Sequence, residues 1–268
     1  MNHEKTAAHF DMTGKVCVIT GGSRGLGKQM AHAFADAGAS VIVSSRKQAG
    51  CDAAAGEIAA ATGQKIVAHA CHVADWDQCD SLLNRAYDEF GKVDVLVNNA
   101  GMSPLYPKLS DVSRELWDKV IGVNLAGPFR LSAVAAERMA AGDGGSIINV
   151  SSIAAIAPSA AEIPYGAAKA GISMLTKSLA CEWAGSGIRV NAVAPGYART
   201  ALVEKLIATG RIDIEAIKRR SPIGRLVEPG EIAEAIWFLA SPAASGITGV
   251  TLSVDGGWAA YGDFGDAS

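Results

Sequence analysis

Tyr165 and Lys169 stand four residues apart in Tyr165-Gly166-Ala167-Ala168-Lys169, a spacing that puts both side chains on one face of a helix. A phenol with an ordinary pKa of ~10 is neutral at pH 7, and a cation within about 4–6 Å favours its phenolate. Tyr165 so placed can give a proton to a reacting oxygen or take one from it. Ser152 lies thirteen residues upstream, at the end of a β-rich run. A hydroxyl there can hydrogen-bond a carbonyl oxygen as negative charge develops on it. Carbonyl–alcohol interconversion is the chemistry that suits such a trio.

A second constellation is Thr20-Gly21-Gly22-Ser23-Arg24-Gly25-Leu26-Gly27. It follows a Val/Ile run and opens an Ala-rich helical segment, where glycines permit a tight turn, backbone approach to a pyrophosphate and close helix–strand packing. Exposed N–H groups and the helix dipole would hold the phosphate charge. Coenzyme choice is read at the end of the next strand, where an acidic residue selects NAD and an arginine NADP. That strand ends in Ser45-Arg46 without Asp or Glu. Arg46 and Arg24 could flank a 2′-phosphate through charge-assisted hydrogen bonds. NADP(H) is therefore expected over NAD(H).

The elements that must position these residues alternate along the chain. β-rich runs fall at 16–20, 40–44, 66–71, 93–98, 146–151, 188–194 and 251–254, with helical segments at 26–37, 53–61, 77–90, 114–122, 129–141, 165–184 and 231–239. Near-continuous Val, Ile and Leu in four of the runs suits strands buried on both faces. Strand–helix alternation with short connections predicts an α/β, Rossmann-type, doubly wound, seven-stranded parallel sheet with helices on both faces. No repeat, linker or composition break divides residues 1–268, so one catalytic domain is expected, with an N-terminal extension at 1–12. Residues 197–222, two short amphipathic pieces and the basic run Lys218-Arg219-Arg220, are expected to form a substrate lid.

On these residues the chain resembles the short-chain dehydrogenase/reductase family, in the branch carrying TGxxxGxG and YxxxK. Asn98-Asn99-Ala100-Gly101 is similar to its NNAG motif and Pro195-Gly196 to its PG motif, so the resemblance runs over nearly the whole chain. It implies hydride transfer between a nicotinamide coenzyme and a carbonyl or secondary alcohol. The catalytic residues it implies are Asn124, Ser152 (rather than Ser151), Tyr165 and Lys169, with Asn124 organising a water relay to Lys169. Coenzyme contacts are implied for Gly21, Ser23, Arg24, Gly25, Leu26, Gly27, Arg46, Asn99, Gly101, Tyr165, Lys169, Pro195, Gly196 and Thr200, the last holding the nicotinamide carboxamide. Val73 is expected against the adenine, where the family often has Asp nearby. Residues 44–48 with Cys71-His72-Val73 look similar to the NADP-dependent carbonyl and retinal reductase subgroup. The helix after Tyr165, rich in small residues, implies pairing across a two-fold axis into a homodimer or homotetramer.

Composition narrows the field. Lys plus Arg number 24 against 27 Asp plus Glu, a formal charge of −3, without the basic excess a nucleic-acid groove needs. Apolar residues make up 49% and charged residues 19%, which excludes general disorder. No membrane span, secretory leader or peroxisomal address is read. Five cysteines without CxxC spacing suit a reducing cytoplasm. His3, His9, His32, His69 and His72 show no metal-ligand spacing. Ala154, Ala155, Ile156, Ala157 and Pro158, with Tyr197 and Leu202, suggest a mainly apolar pocket for a small carbonyl compound, and Arg199 could meet an acidic group. Competing readings are an NAD-dependent alcohol dehydrogenase of the same family and a non-catalytic coenzyme sensor. A sugar-nucleotide epimerase would need a larger substrate domain than the chain supplies.

Overall fold

The computed structural model describes residues 8–210, 212–262 and 265–267; part of the expected N-terminal extension, with His3, lies outside them, as does the Leu202 side chain. Seven strands form one sheet in the order β3-β2-β1-β4-β5-β6-β7. They are β1 (Val16–Thr20), β2 (Ser40–Ser45), β3 (Ile66–Ala70), β4 (Val95–Asn98), β5 (Gly145–Val150), β6 (Ile188–Pro195) and β7 (Thr251–Val254). Every neighbouring pair is parallel. Their C-terminal ends therefore share one edge, and the order reverses between β1 and β4, where doubly wound sheets open a ligand crevice.

Alternation along β1 shows why both faces carry helices. Cys17 and Ile19 point into one core with Met30 and Phe34 of α1 (Gly25–Asp36), Ile58 of α2 (Gln48–Thr62) and Ile236 of α9 (Pro229–Ala240). Val18, between them, points into the other core. There it joins Leu82 of α3 (Trp76–Phe90), Leu131 of α5 (Gly127–Ala140) and Leu179 of α6 (Ile163–Trp183).

The expected helices at 114–122 and 129–141 are in fact one continuous rod. α4 (Arg114–Ile121) passes through a π turn, Gly122–Ala126, into α5. Pro128 has no N–H to offer the Asn124 carbonyl four residues back, and the widened turn absorbs that missing bond. The Gly127 N–H reaches instead to Gly122 O. Helix α2 also begins at Gln48, well before the expected 53.

A buried polar string crosses the sheet centre. Asn98 Nδ2 donates to Ser132 Oγ and to Asn149 Oδ1, both at 2.9 Å, and Asn149 Nδ2 donates to Thr176 Oγ1 at 2.9 Å. Residues 197–222 leave the C-terminal edge as two short helices, α7 (Ala201–Ala208) and α8 (Ile214–Arg220). Their base is closed by a parallel bridge between Ala198 and Val227. No helix among the described residues is long and apolar enough to cross a membrane.

Candidate active site

Tyr165 and Lys169 sit in the first turns of α6, beside the C-terminal end of β5. Lys169 is 4% exposed, and its ammonium lies 5.6 Å from the centre of the Tyr165 ring while donating to the Val150 carbonyl at 2.7 Å. Burial pushes the Lys169 amine down to about 8. The Tyr165 phenol is pushed up by burial; the hydrogen-bonding Ser152 hydroxyl pulls part of the way back, and the Glu162 charge adds to the rise. The sequence led us to expect a lowering by Lys169, but burial sets the net direction.

Ser152 ends the strand edge and caps a short 3-10 turn, its Oγ accepting from Ala154 N at 3.1 Å. Accepting there leaves its own proton to donate toward Tyr165 or a substrate oxygen. Its neighbour Ser151 is buried and bonds Lys169 O and Ser173 Oγ, both at 3.1 Å. The two serines point apart, and Ser152 is the one beside the phenol.

Asn124 lies in the π turn and is wholly buried. Its Nδ2 donates to Met102 O and Val120 O at 2.9 Å, and its Oδ1 accepts from Met102 N at 3.1 Å. Both amide protons are used on backbone, so the side chain pins the loop after β4 to the helix rod. Gly101 in that loop fits closely: a Cβ there would stand 2.9 Å from Asn124 Oδ1 and 3.7 Å from Lys169 Nζ.

The Gly-rich turn forms a cradle between β1 and α1. Gly21 has φ +68°, and a Cβ on it would meet Asn99 Nδ2 at 2.7 Å. A Cβ on Gly27 would meet Gly21 O at 2.3 Å. α1 starts at Gly25, with Leu26 behind it; Arg24 precedes it without a side-chain cap, and no acidic residue occupies the first turn. That bare N-terminus and the glycine approaches fit the phosphates of a dinucleotide. Asn99 Nδ2 donates to Thr20 O at 2.9 Å, and Thr20 Oγ1 accepts from Asn99 N and Ala100 N at 3.1 Å. Thr20 thus ties the two strand ends flanking the crevice. Its hydroxyl escaped notice in the sequence because the glycines around it carried the motif.

Arg24 and Arg46 are both exposed, and neither is ion-paired among the described residues. Ser23 faces the start of α2, where a Cβ on Gly50 would stand 3.7 Å from Ser23 Cβ, so the turn and the segment after β2 adjoin. Val73 is 5% exposed and belongs to the core under α3 and α5, which leaves little side-chain surface for an adenine. Pro195 ends β6, and Gly196 abuts β7's end, where a Cβ would stand 2.8 Å from Asp255 Cα. Thr200 caps α7, accepting from Val203 N at 3.3 Å. Tyr197 packs edge-on against Trp258 at 5.0 Å, and Arg220 of α8 lies 5.2 Å over the Trp258 ring.

This arrangement coincides with a known family. A family model described as enoyl-(acyl carrier protein) reductase matches residues 21–259. A cis-4-hydroxycyclohexanecarboxylate dehydrogenase from Sinomonas cyclohexanicum is 43% identical over 92% of this chain and 97% of its own. An uncharacterized short-chain type dehydrogenase/reductase of Sinorhizobium fredii is 39% identical over 91% of this chain, which spans only 44% of that longer protein. Among solved structures, a putative short-chain alcohol dehydrogenase from Sinorhizobium meliloti superposes with a TM-score of 0.87 at 38% identity, over 94% of this chain and 99% of the other. Fold and site define an oxidoreductase of the Rossmann type. The chain belongs to the short-chain dehydrogenase/reductase family, whose members use NAD(P).

Proposed function

We propose that the protein is an NADP(H)-dependent oxidoreductase that interconverts a carbonyl and a secondary alcohol on a mainly apolar small molecule. What carries this reading is one adjacency: Tyr165, Lys169 and Ser152 meet at the sheet edge that also holds the glycine cradle. NADP(H), when bound, supplies or accepts the hydride. Gly21, Ser23, Gly25, Leu26 and Gly27 would receive its phosphates, Arg24 and Arg46 the 2′-phosphate, and Asn99, Gly101 and the backbone of Val73, its side chain being buried, the adenosine side. Lys169, Pro195, Gly196 and Thr200 would face the nicotinamide half.

Ser152 donates a hydrogen bond to the reacting oxygen and steadies negative charge on it. Tyr165, whose buried phenol keeps its proton at neutral pH, gives that proton to the oxygen during reduction and takes it back during oxidation. Lys169 holds positive charge beside the phenol. Asn124 fixes the loop that carries Gly101 against Lys169. The helices of 197–222 act as a lid over the substrate, hinged at the Ala198–Val227 bridge.

Support for self-association comes from α6. Gly166 and Gly171 are used inside the subunit, against Ala154 O and Leu125. Ala167, Ala170, Met174 and Cys181 instead form an exposed stripe on one face, a surface suited to a second copy in a dimer or tetramer. All five cysteines are free, which suits work in the cytoplasm.

The test is Tyr165→Phe with a panel of ketones and secondary alcohols, read by absorbance of the reduced coenzyme. Turnover should fall by ~10²–10⁴-fold while NADPH binding persists. Weakened binding with unchanged turnover would refute the assignment.

A further inference from the structure

Glu162 stands three residues before Tyr165, at the N-cap position of α6, yet it makes no side-chain capping bond there. The residue before it, Ala161, has φ +61°, a left-handed conformation that L-residues other than Gly, Asn and Asp seldom adopt. Strain of this kind gathers at functional sites. This turn delivers the chain into α6 and directs the Glu162 carboxylate away from the helix's own N–H groups.

Two walls of the cleft converge on it. From the loop after β4, Ser103 Oγ donates to Glu162 Oε1 at 2.7 Å, and Tyr106 OH accepts from Ile163 N at 3.2 Å. From the loop after β6 comes Tyr197, with the Ser159 hydroxyl beside it. The Glu162 charge raises both the Tyr165 and the Tyr197 phenol. The carboxylate therefore lies among the loop after β4, the proton-transferring phenol and the aromatic wall of the lid. Among the described residues no cation pairs with it, and Ser103 is its side-chain donor. A carboxylate offers about four acceptor positions and the Ser103 bond takes one of them, so the others are open to a ligand.

We infer that Glu162 is a specificity-determining residue of the substrate cleft, accepting a hydrogen bond from a cationic ammonium group on the substrate and turning away substrates that carry a carboxylate. This deepens the proposed function and rests on it. Discrimination arises on both sides of the comparison: an ammonium gains a charge-assisted bond, while a carboxylate meets like charge. The apolar wall of 154–158 then receives the hydrocarbon frame, so the expected substrate is an amphipathic amino-ketone or amino-alcohol.

Three ring ketones of similar shape test it with the full chain and NADPH: 4-(dimethylamino)cyclohexanone, cationic at pH 7; 4-isopropylcyclohexanone, neutral; and 4-oxocyclohexanecarboxylate, anionic. Wild type should show kcat/KM falling in that order, with at least about tenfold between the first and last. Glu162→Gln should compress the order to within a few-fold, and Glu162→Asp should restore part of it. A carboxylate used as well as the amine, or a ratio unmoved by Glu162→Gln, overturns the inference while leaving the proposed function standing.

If none of the ketones is reduced with either coenzyme, the proposed function falls, and a second arm still decides the place of Glu162. The alkaline ultraviolet difference titration of wild type minus Tyr165→Phe isolates the Tyr165 phenol. The other ionisable groups around it are Lys169 on α6, Tyr106 from the loop after β4 and Tyr197 from the loop after β6. Repeating the measurement in the Glu162→Gln background should move the midpoint to lower pH, and an unmoved midpoint overturns the inference.

Discussion

The ammonium of Lys169 donates to the carbonyl of Val150 across 2.7 Å, tying α6 to the strand that ends beside Ser152. Burial lowers this amine from the ordinary 10.5 to about 8, so holding it charged at pH 7 opposes folding by up to about 3 kcal/mol. The unfolded chain binds more protons between those two values, so stability from this group rises with pH across that window. Lys169→Met removes the buried charge but leaves the Val150 carbonyl without its donor, which costs about 1–3 kcal/mol. A net gain of about 1 kcal/mol at pH 7 is expected, shrinking by pH 9.5, together with lost turnover. Urea unfolding at the two pH values measures this; a variant less stable at pH 7 would contradict it.

Two glycines in helices should respond oppositely to alanine. At Gly27 a methyl would stand 2.3 Å from Gly21 O, and backbone cannot step aside, so Gly27→Ala should lose about 1–3 kcal/mol and most NADPH affinity. Gly56 in α2 has nothing within 4 Å of its Cβ position, so Gly56→Ala should gain about 0.5–1 kcal/mol. Thermal melts with and without NADPH check both. Equal responses would mean that the turn is looser than its packing indicates.

Coenzyme choice should move with one exposed side chain. Arg46→Asp places an acid where ribose hydroxyls are recognised and repels a 2′-phosphate. The ratio of kcat/KM for NADPH over NADH should fall by about tenfold or more, the scale of one charge-assisted hydrogen bond replaced by repulsion. A wild type that prefers NADH, with Arg46→Asp indifferent, would reverse the assignment.

The α6 stripe makes a prediction about assembly. Met174 is 61% exposed in the single subunit, and Met174→Glu would put charge at the centre of a paired surface. Sedimentation velocity at micromolar concentration should show an oligomer for wild type and smaller species for the variant. A monomeric wild type would exclude the stripe as an interface.

Strands were legible because their side chains face two cores: near-continuous apolar runs such as Val16–Thr20 admit few other environments. The Tyr165–Lys169 and glycine spacings were legible because each lies within one short stretch of chain. Pro128 and its glycine neighbour read as a break between helices, since a π turn leaves no periodicity of its own. Asn124 was visible as a residue but not as a clamp, because Met102 belongs to another element. Glu162 carried no signal at all. Its donor Ser103 is 59 residues away, and only the folded chain sets the carboxylate beside the phenol.

The amide string Asn98–Asn149–Thr176 has a consequence beyond cohesion. Slipping β4 against β5 by one residue would turn Asn98 to the opposite face and leave the Asn149 side-chain oxygen without its donor. The sheet is thus keyed at its midpoint, and the helix bearing Thr176 is indexed to the same key. Since that helix also bears Tyr165 and Lys169, the alignment of this pair with the strand edge is fixed from deep inside the molecule rather than by the loops above it.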